Sequence, residues 1–270
     1  MRVAVLPARN EAVTLPGIVK KLKHHVDTVL VIDDNSEDAT ARLAGGLGCA
    51  VLRNEHRQGY GATLRRGLLW CHDAGACATI SLDADGQHDP AWIDEGLSIL
   101  NHGADVVFGN RFAKLDGIPE TKVLSNNFAW ECVKCCIGRR PICEDVSCGF
   151  RIYGPRGLGA AIRSDAKVMS GYAFTHATCV SLHNSGLRLD ALNIPAIYFD
   201  PVQGTHVTEM QDFLTWLALC TPLKADAQSW LDRLLSGQDF RLEFEAWHSV
   251  TKVHVIARRM DQFIQLSLHR

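Results

Sequence analysis

The chain has no run of about 18 apolar residues of the kind that spans a bilayer. Its best candidate, FLTWLALCTPL over 213–223, is too short and carries a proline. A membrane-spanning helix is therefore not expected. The start, MRVAVLPARNEAV, holds one basic residue and a short apolar stretch broken at Pro7, unlike a secretory leader. Excess charge of either sign is missing too: 28 Lys and Arg face 30 Asp and Glu, a formal net charge of -2. Without a basic surplus to neutralise a phosphate backbone, nucleic acid is disfavoured as a partner. No Gly-x-Gly-x-x-Gly follows the first β-rich run, where PARNEA stands instead, and no Gly-x-x-x-x-Gly-Lys-Ser/Thr occurs. Those two absences exclude a dinucleotide oxidoreductase and a P-loop phosphotransferase. Internal repeats and low-complexity segments are absent as well.

What is present is ordinary globular material: 270 residues, 47% hydrophobic and 21% charged. At about 150 residues per domain, one large domain with an appendage fits, and the pattern changes near residue 206. The expected division is a domain over 1–205 and a small helical or mixed C-terminal segment over 206–270. Ten cysteines without a leader read as reduced thiols in a cytoplasmic protein.

Short β-rich runs at 2–6, 28–32, 50–52, 78–82 and 105–109 alternate with helical patterns at 13–24 and 62–71. That alternation predicts an α/β fold, a Rossmann-like and mostly parallel sheet with helices on both faces. Farther on, 125–137 reads as a helix capped by Ser125, 168–183 as a helix, and 188–199 as a strand punctuated by Pro195. In the appendage, 213–223 and 225–235 look helical and 242–247 and 253–257 extended. Ligands of such sheets sit beyond the carboxyl ends of the strands, where Asn10, Asp33, Asp34, Asp83 and Asp85 fall.

The strongest local signal is the run Asp83-Ala84-Asp85-Gly86-Gln87-His88 at a strand end. Two carboxylates one residue apart can converge on a hard divalent cation, Mg2+ or Mn2+, that also meets substrate phosphates. Gln87 can add a neutral oxygen. Helix capping is the competing role for acids after a strand, and it applies equally to the second pair, Asp33 and Asp34. Carboxylates at a sheet switch point also hydrogen-bond ribose hydroxyls or base edges. Taken together, these ends describe a nucleoside diphosphate pocket.

The ordered motifs VLPARNE, VLVIDDNSEDAT, NEHRQGYGATLRRGL, ISLDADGQHDP, VVFGNRF and EDVSCGFRIYG resemble the inverting family 2 glycosyltransferases, among them dolichyl-phosphate mannose synthases and bacterial polyprenyl-phosphate glycosyltransferases. The resemblance runs over about residues 2–200 and implies a GT-A fold, a UDP- or GDP-sugar donor and a bound Mg2+ or Mn2+. It assigns Pro7, Asn10, Glu11, Asp33 and Asp34 to base and ribose, and Asp83, Asp85 and Gln87 to metal and diphosphate. Gln58 to Arg66 matches the Gly-rich stretch beside the donor. Arg111 matches an arginine that approaches phosphate, and Asp145, Cys148 and Arg151 fall in the acceptor-side motif. Asp145 is the candidate general base, and Asp85 is placed with it in the catalytic set.

Departures from the family pattern fall on the acceptor side. Cys148 and Ala177 replace the usual Ser and Glu, and Pro201 and His206 stand where a phosphate-gripping Arg and Ser are usual. Three readings stay open: transfer to a polyprenyl phosphate, transfer to a hydroxyl on a glycan, small molecule or modified base, and a nucleotide-sugar binding protein without turnover. A lipid acceptor implies peripheral membrane contact, for which the apolar faces of 213–235 are a candidate. Cys132, Cys135, Cys143 and Cys148 suit either a structural zinc or a helix packed on the core. His24, His25, His56, His72 and His102 show no ligand spacing and read as surface or loop residues.

Overall fold

A computed structural model of the chain describes residues 1–163, 171 and 173–197. Seven strands, β1 (Arg2–Ala8), β2 (Thr28–Asp33), β3 (Ala50–Arg53), β4 (Ala78–Ser81), β5 (Val106–Asn110), β6 (Arg151–Tyr153) and β7 (Leu189–Asn193), form one sheet in the order β3-β2-β1-β4-β6-β5-β7. All pairings are parallel except those of β6, which runs antiparallel to both β4 and β5. The mostly parallel α/β sheet expected from the alternation is observed. The antiparallel strand is not foreseeable from the sequence, because three residues are too few to show a period.

Strand alternation sends Val3 and Val5 to one face and Ala4, Leu6 and Ala8 to the other, all fully or almost fully buried. The first face is covered by α3 (Tyr60–Asp73), α5 (Glu120–Ile137), α6 (Pro155–Ile162) and α7 (Ala173–His183). The second is covered by α1 (Leu15–Leu22), α2 (Thr40–Gly46) and α4 (Ile93–Asn101). A strand buried on both faces reads as a continuous apolar run, which is why β1 and β2 are legible. Helix α1 starts with Pro16 in its first turn, where a missing N–H costs nothing.

Several boundaries differ from the sequence expectation. Helix α5 begins at Glu120, just after Pro119, so Ser125 lies inside the helix rather than at its cap. The strand expected within 188–199 is Leu189–Asn193, ending before Pro195. Helices α2, α4 and α6 and strand β6 are not among the sequence expectations. Helix α6, PRGLGAAI, has two glycines in eight residues, and that composition hides a helix. The expected elements of the 206–270 appendage lie outside the described residues. Among the described residues, no helix is long and apolar enough to cross a membrane.

Topology creates the crevice. Strand β1 is flanked by β2 and β4, with connections leaving in opposite directions, so the carboxyl ends of β1 and β4 frame a switch point. Pro7 lies beyond Val5, the last β1 residue in register with β4, so its absent N–H removes no rung of that ladder. Helix α3 closes over the sheet at Gly67, where an added Cβ would lie 2.5 Å from Val5 Cγ1 and 2.6 Å from Ile32 Cδ1. Gly67→Ala is therefore expected to lower unfolding free energy by about 1–3 kcal/mol through overpacking, read as a shifted urea midpoint with unchanged slope.

Candidate active site

Three loops at the carboxyl ends of β1, β2 and β4 are tied into one wall. Asn10 and Asn35 both adopt left-handed backbone, φ 60 and 56, a conformation asparagine tolerates better than most residues. In that geometry Asn10 N–H donates to Ser36 Oγ at 3.0 Å and Glu37 N–H donates to Asn10 Oδ1 at 2.9 Å. Thr14 Oγ1, which donates to the Ala84 carbonyl at 2.8 Å, links the first loop to the acidic loop after β4. The Glu11 carboxyl lies beside this link. Burial pushes it above its ordinary range, opposed by the Thr14 hydrogen bond, and Asp85 and Asp83 push it farther. Glu11, Asp83 and Asp85 thus share one electrostatic neighbourhood.

Asp33 and Asp34 divide their work. Asp34 Oδ1 accepts from Asn54 Nδ2 at 2.8 Å and Gln58 N at 2.7 Å, and Oδ2 accepts from Gly59 N at 2.9 Å. Burial opposes its charge, but these bonds more than reverse that and hold its carboxyl below the usual range. Asp34 anchors the 54–59 loop, a task the resemblance, which points it at base and ribose, does not assign. Asp33 is fully buried, faces Arg53 Nε at 3.2 Å and accepts from Ser36 N.

In the acidic loop, Asp83 Oδ1 accepts from the Tyr60 phenol at 2.9 Å, and Asp85 Oδ1 accepts from Gln87 N at 2.9 Å. Both carboxyls are pushed up by burial, and Asp85 farther by Asp83. The imidazole of His88 is buried under them and accepts the Asp83 N–H at Nδ1, 3.1 Å away. Its proton therefore sits on Nε2, which faces Cys148 Sγ at 3.6 Å. Burial, seconded by Arg111, pulls the His88 pKa down to about 3, so the ring is neutral. Tyr60 and His88 stand inside the family motifs without a role that sequence assigns; their polar contacts depend on tertiary placement.

Across the crevice, Arg111 follows β5 and forks onto Asp145. Its Nε reaches Asp145 Oδ2 at 2.7 Å, Nη2 reaches Oδ1 at 3.2 Å, and its backbone N–H also donates to Oδ2. Ser147 N and Oγ complete Oδ1 at 3.3 and 3.0 Å. Burial alone would raise the Asp145 carboxyl, but the Arg111 charge and these bonds bring it below its ordinary value. A carboxylate so fully engaged is a poor proton acceptor, and the geometry makes Asp145 a holder of Arg111 rather than the expected general base.

Two further acceptor-side expectations change. Arg151 is only 2% exposed. Its guanidinium donates to the carbonyls of Cys148, Val146 and Thr175 and to Thr178 Oγ1, with Phe108 stacked 5.0 Å away. It ties the 145–150 segment to α7 and is not presented to an anion. Cys148 is completely buried, its thiol pushed up to about 12 by burial, so it packs rather than binds acceptor. His206 and Pro201 lie outside the described residues, as do the side chains of Cys132 and Cys135. Cys143 is buried and its thiol is held protonated, as fits the core-packing reading.

For a cation, the available donors are hard oxygens: Asp83, Asp85 and the Gln87 amide. Among the described residues, no three His, Cys, Asp or Glu side chains converge closely enough to hold an ion by themselves. Two half-buried, mutually repelling carboxylates on one loop fit Mg2+ or Mn2+, which bind through one or two carboxylates together with substrate phosphates and water.

Comparison with known proteins gives a family model, glycosyl transferase family 2, that matches residues 3–156. An uncharacterized protein of Methanocaldococcus jannaschii is 30% identical over 73% of this chain and 89% of its own. The undecaprenyl-phosphate mannosyltransferase of Micrococcus luteus is 29% identical over 64% of this chain and 74% of its own. Among solved structures, glucosyl-3-phosphoglycerate synthase of Mycobacterium tuberculosis with Mg2+ and UDP superposes with a TM-score of 0.57 at 19% identity, covering 83% of this chain and 81% of that one. The fold is thus that of GT-A glycosyltransferases.

The Asp145 geometry has a pH consequence. A carboxyl depressed in the folded state adds stability that is complete above its unfolded value of about 4 and is lost as pH falls toward the lower native value. Asp145→Asn is expected to flatten the acid limb of the stability profile, measured by urea unfolding between about pH 2 and 6, and to lower stability at neutral pH because Arg111 loses its buried partner.

Proposed function

The chain belongs to glycosyl transferase family 2 and is a glycosyltransferase, and from that premise we propose that it transfers a sugar, with inversion, from a UDP- or GDP-sugar to the phosphate of a polyprenyl phosphate. The observation that carries this reading is the opposition of charge across one sheet edge. The carboxylates Asp83 and Asp85 stand on the donor side, and the guanidinium of Arg111, braced by buried Asp145, acts electrostatically on both of them.

On this reading Asn10 and Glu11 line the base and ribose over Pro7, fully buried Asp33 braces the wall behind them through Arg53 and Ser36, and Asp34 holds the loop that closes beside it. Asp83, Asp85 and Gln87 would hold Mg2+ or Mn2+, which when bound stabilises the charge of the departing diphosphate. Arg111 orients the acceptor phosphate so that its oxygen faces the anomeric carbon opposite the leaving group. A phosphate oxygen is already ionised at neutral pH and needs no base, whereas a hydroxyl acceptor does. Engagement of Asp145 by Arg111 and Ser147 therefore favours phosphate over hydroxyl. A mannosyltransferase relative whose name specifies undecaprenyl phosphate supports the acceptor, and a neighbour solved with Mg2+ and UDP is in keeping with the donor and the metal. A lipid acceptor would be met at a membrane surface, with the chain docked from the cytoplasmic side.

The test is nucleoside diphosphate release from UDP- and GDP-sugars with Mg2+ or Mn2+, with and without a polyprenyl phosphate. Release that needs the metal and rises with the lipid phosphate is the expected result, and release stimulated only by hydroxyl acceptors would overturn the acceptor assignment. Asp83→Ala with Asp85→Ala should reduce turnover by at least about a hundredfold. Arg111→Lys should raise the KM for the lipid phosphate more than that for the donor.

A further inference from the structure

We propose that Tyr60 is a positioning residue that assigns the two oxygens of Asp83 to different tasks, holding Oδ1 so that Oδ2 is left for the cation. The inference rests on the donor-site reading proposed for Asp83 and Asp85. An aspartate on a loop has two free side-chain torsions, and convergence with Asp85 requires that they be fixed. Three elements of the fold do this together. From the first residue of α3, the Tyr60 phenol donates to Oδ1 at 2.9 Å. From the loop itself, buried His88 accepts the Asp83 backbone N–H and fixes the main chain. From the entry to β6, Gly149 backs the pair: a Cβ added there would lie 2.7 Å from Oδ1, 2.8 Å from the phenol oxygen and 3.0 Å from Oδ2.

The consequence for Oδ2 comes from counting donors and acceptors. Oδ2 lies 3.5 Å from His88 Nδ1, and that nitrogen is already an acceptor for the Asp83 N–H. Two acceptors cannot bond, so the ring offers Oδ2 no proton. Among the described residues Oδ2 receives no hydrogen bond, and the Asp83 side chain retains 25% of its exposure. One oxygen is engaged and the other, among the described residues, keeps its lone pairs uncommitted.

Mn2+ binding in the presence of UDP, followed by electron paramagnetic resonance on the full chain, separates this role from a merely structural one. Tyr60→Phe keeps the ring and removes one hydroxyl, and is expected to weaken Mn2+ affinity about tenfold, the size typical when a group orienting a metal ligand is lost, with its melting temperature nearly unchanged. Gly149→Ala, which crowds the same carboxylate from behind, should weaken Mn2+ in the same direction. Wild-type binding with Tyr60→Phe within about twofold of it overturns the role of Tyr60 alone. A loss of thermal stability without a change in Mn2+ affinity overturns it too. Failure of the wild-type chain to take up Mn2+ with UDP overturns the donor-site reading and this proposal with it.

Discussion

A charge removed from water must be answered by the protein, and the site depends on how each buried carboxylate is answered. Asp145 is answered in full: a fork from Arg111, its backbone N–H, and two bonds from Ser147. Asp34 is answered by the loop it restrains. Asp83 is answered by half, through one phenol, and Asp85 through one backbone N–H. Desolvation without complete pairing is costly, and the carboxyls left incompletely paired lie on the crevice between β1 and β4. Residues of one chemical type thus become structural braces or ligand-facing groups according to the number of donors the fold brings to them.

The same rule explains the facing wall, formed by Arg111 and the 145–151 segment. Among the described residues Arg151 has no carboxylate on its guanidinium; carbonyl oxygens, a threonine hydroxyl and the Phe108 face take its place. Every donor direction used in that way is withheld from a ligand. Arg111 is forked by Asp145, which fixes its orientation, and its side chain keeps 12% of its exposure. Two arginines near the same motif are therefore given opposite assignments, one internal and one at the wall.

The parallel half of the fold is legible in the sequence because buried strands concentrate apolar residues and because polar residues collect where those strands end. That reasoning locates Asp83 and Asp85, whereas Arg111 and Asp145 come only from the family motifs. It fails for β6 and α6, whose short, glycine-bearing sequences carry little periodicity, and for α5, whose start comes after Pro119 rather than at Ser125. Within the site, residue type is readable and hydrogen-bond assignment is not. Nothing in DADGQH or QGYG states that a tyrosine 23 positions earlier meets Asp83, or that Asp145 is saturated; both facts belong to the packing of α3, β4 and β6. Seeking functional groups after the end of each strand also passes over the segment before β6, since an antiparallel strand delivers to this edge the residues that precede it.

That reversal gives the segment between β5 and β6 an unusual independence. Strand β5 leaves the sheet at the edge where β6 re-enters it, and the Gly109 N–H donates to the Phe150 carbonyl at 2.9 Å, so the two ends of the excursion are clasped by the ladder itself. Residues between them, α5 included, form a cassette whose insertion points lie side by side. Closing a longer excursion between fixed ends adds little entropy cost, so the exposed stretch 113–117 can change length while Cys148 and Gly149 stay packed against His88 and Asp83. Variation in that exposed stretch thus has a physical route that spares the packing at both ends of the excursion.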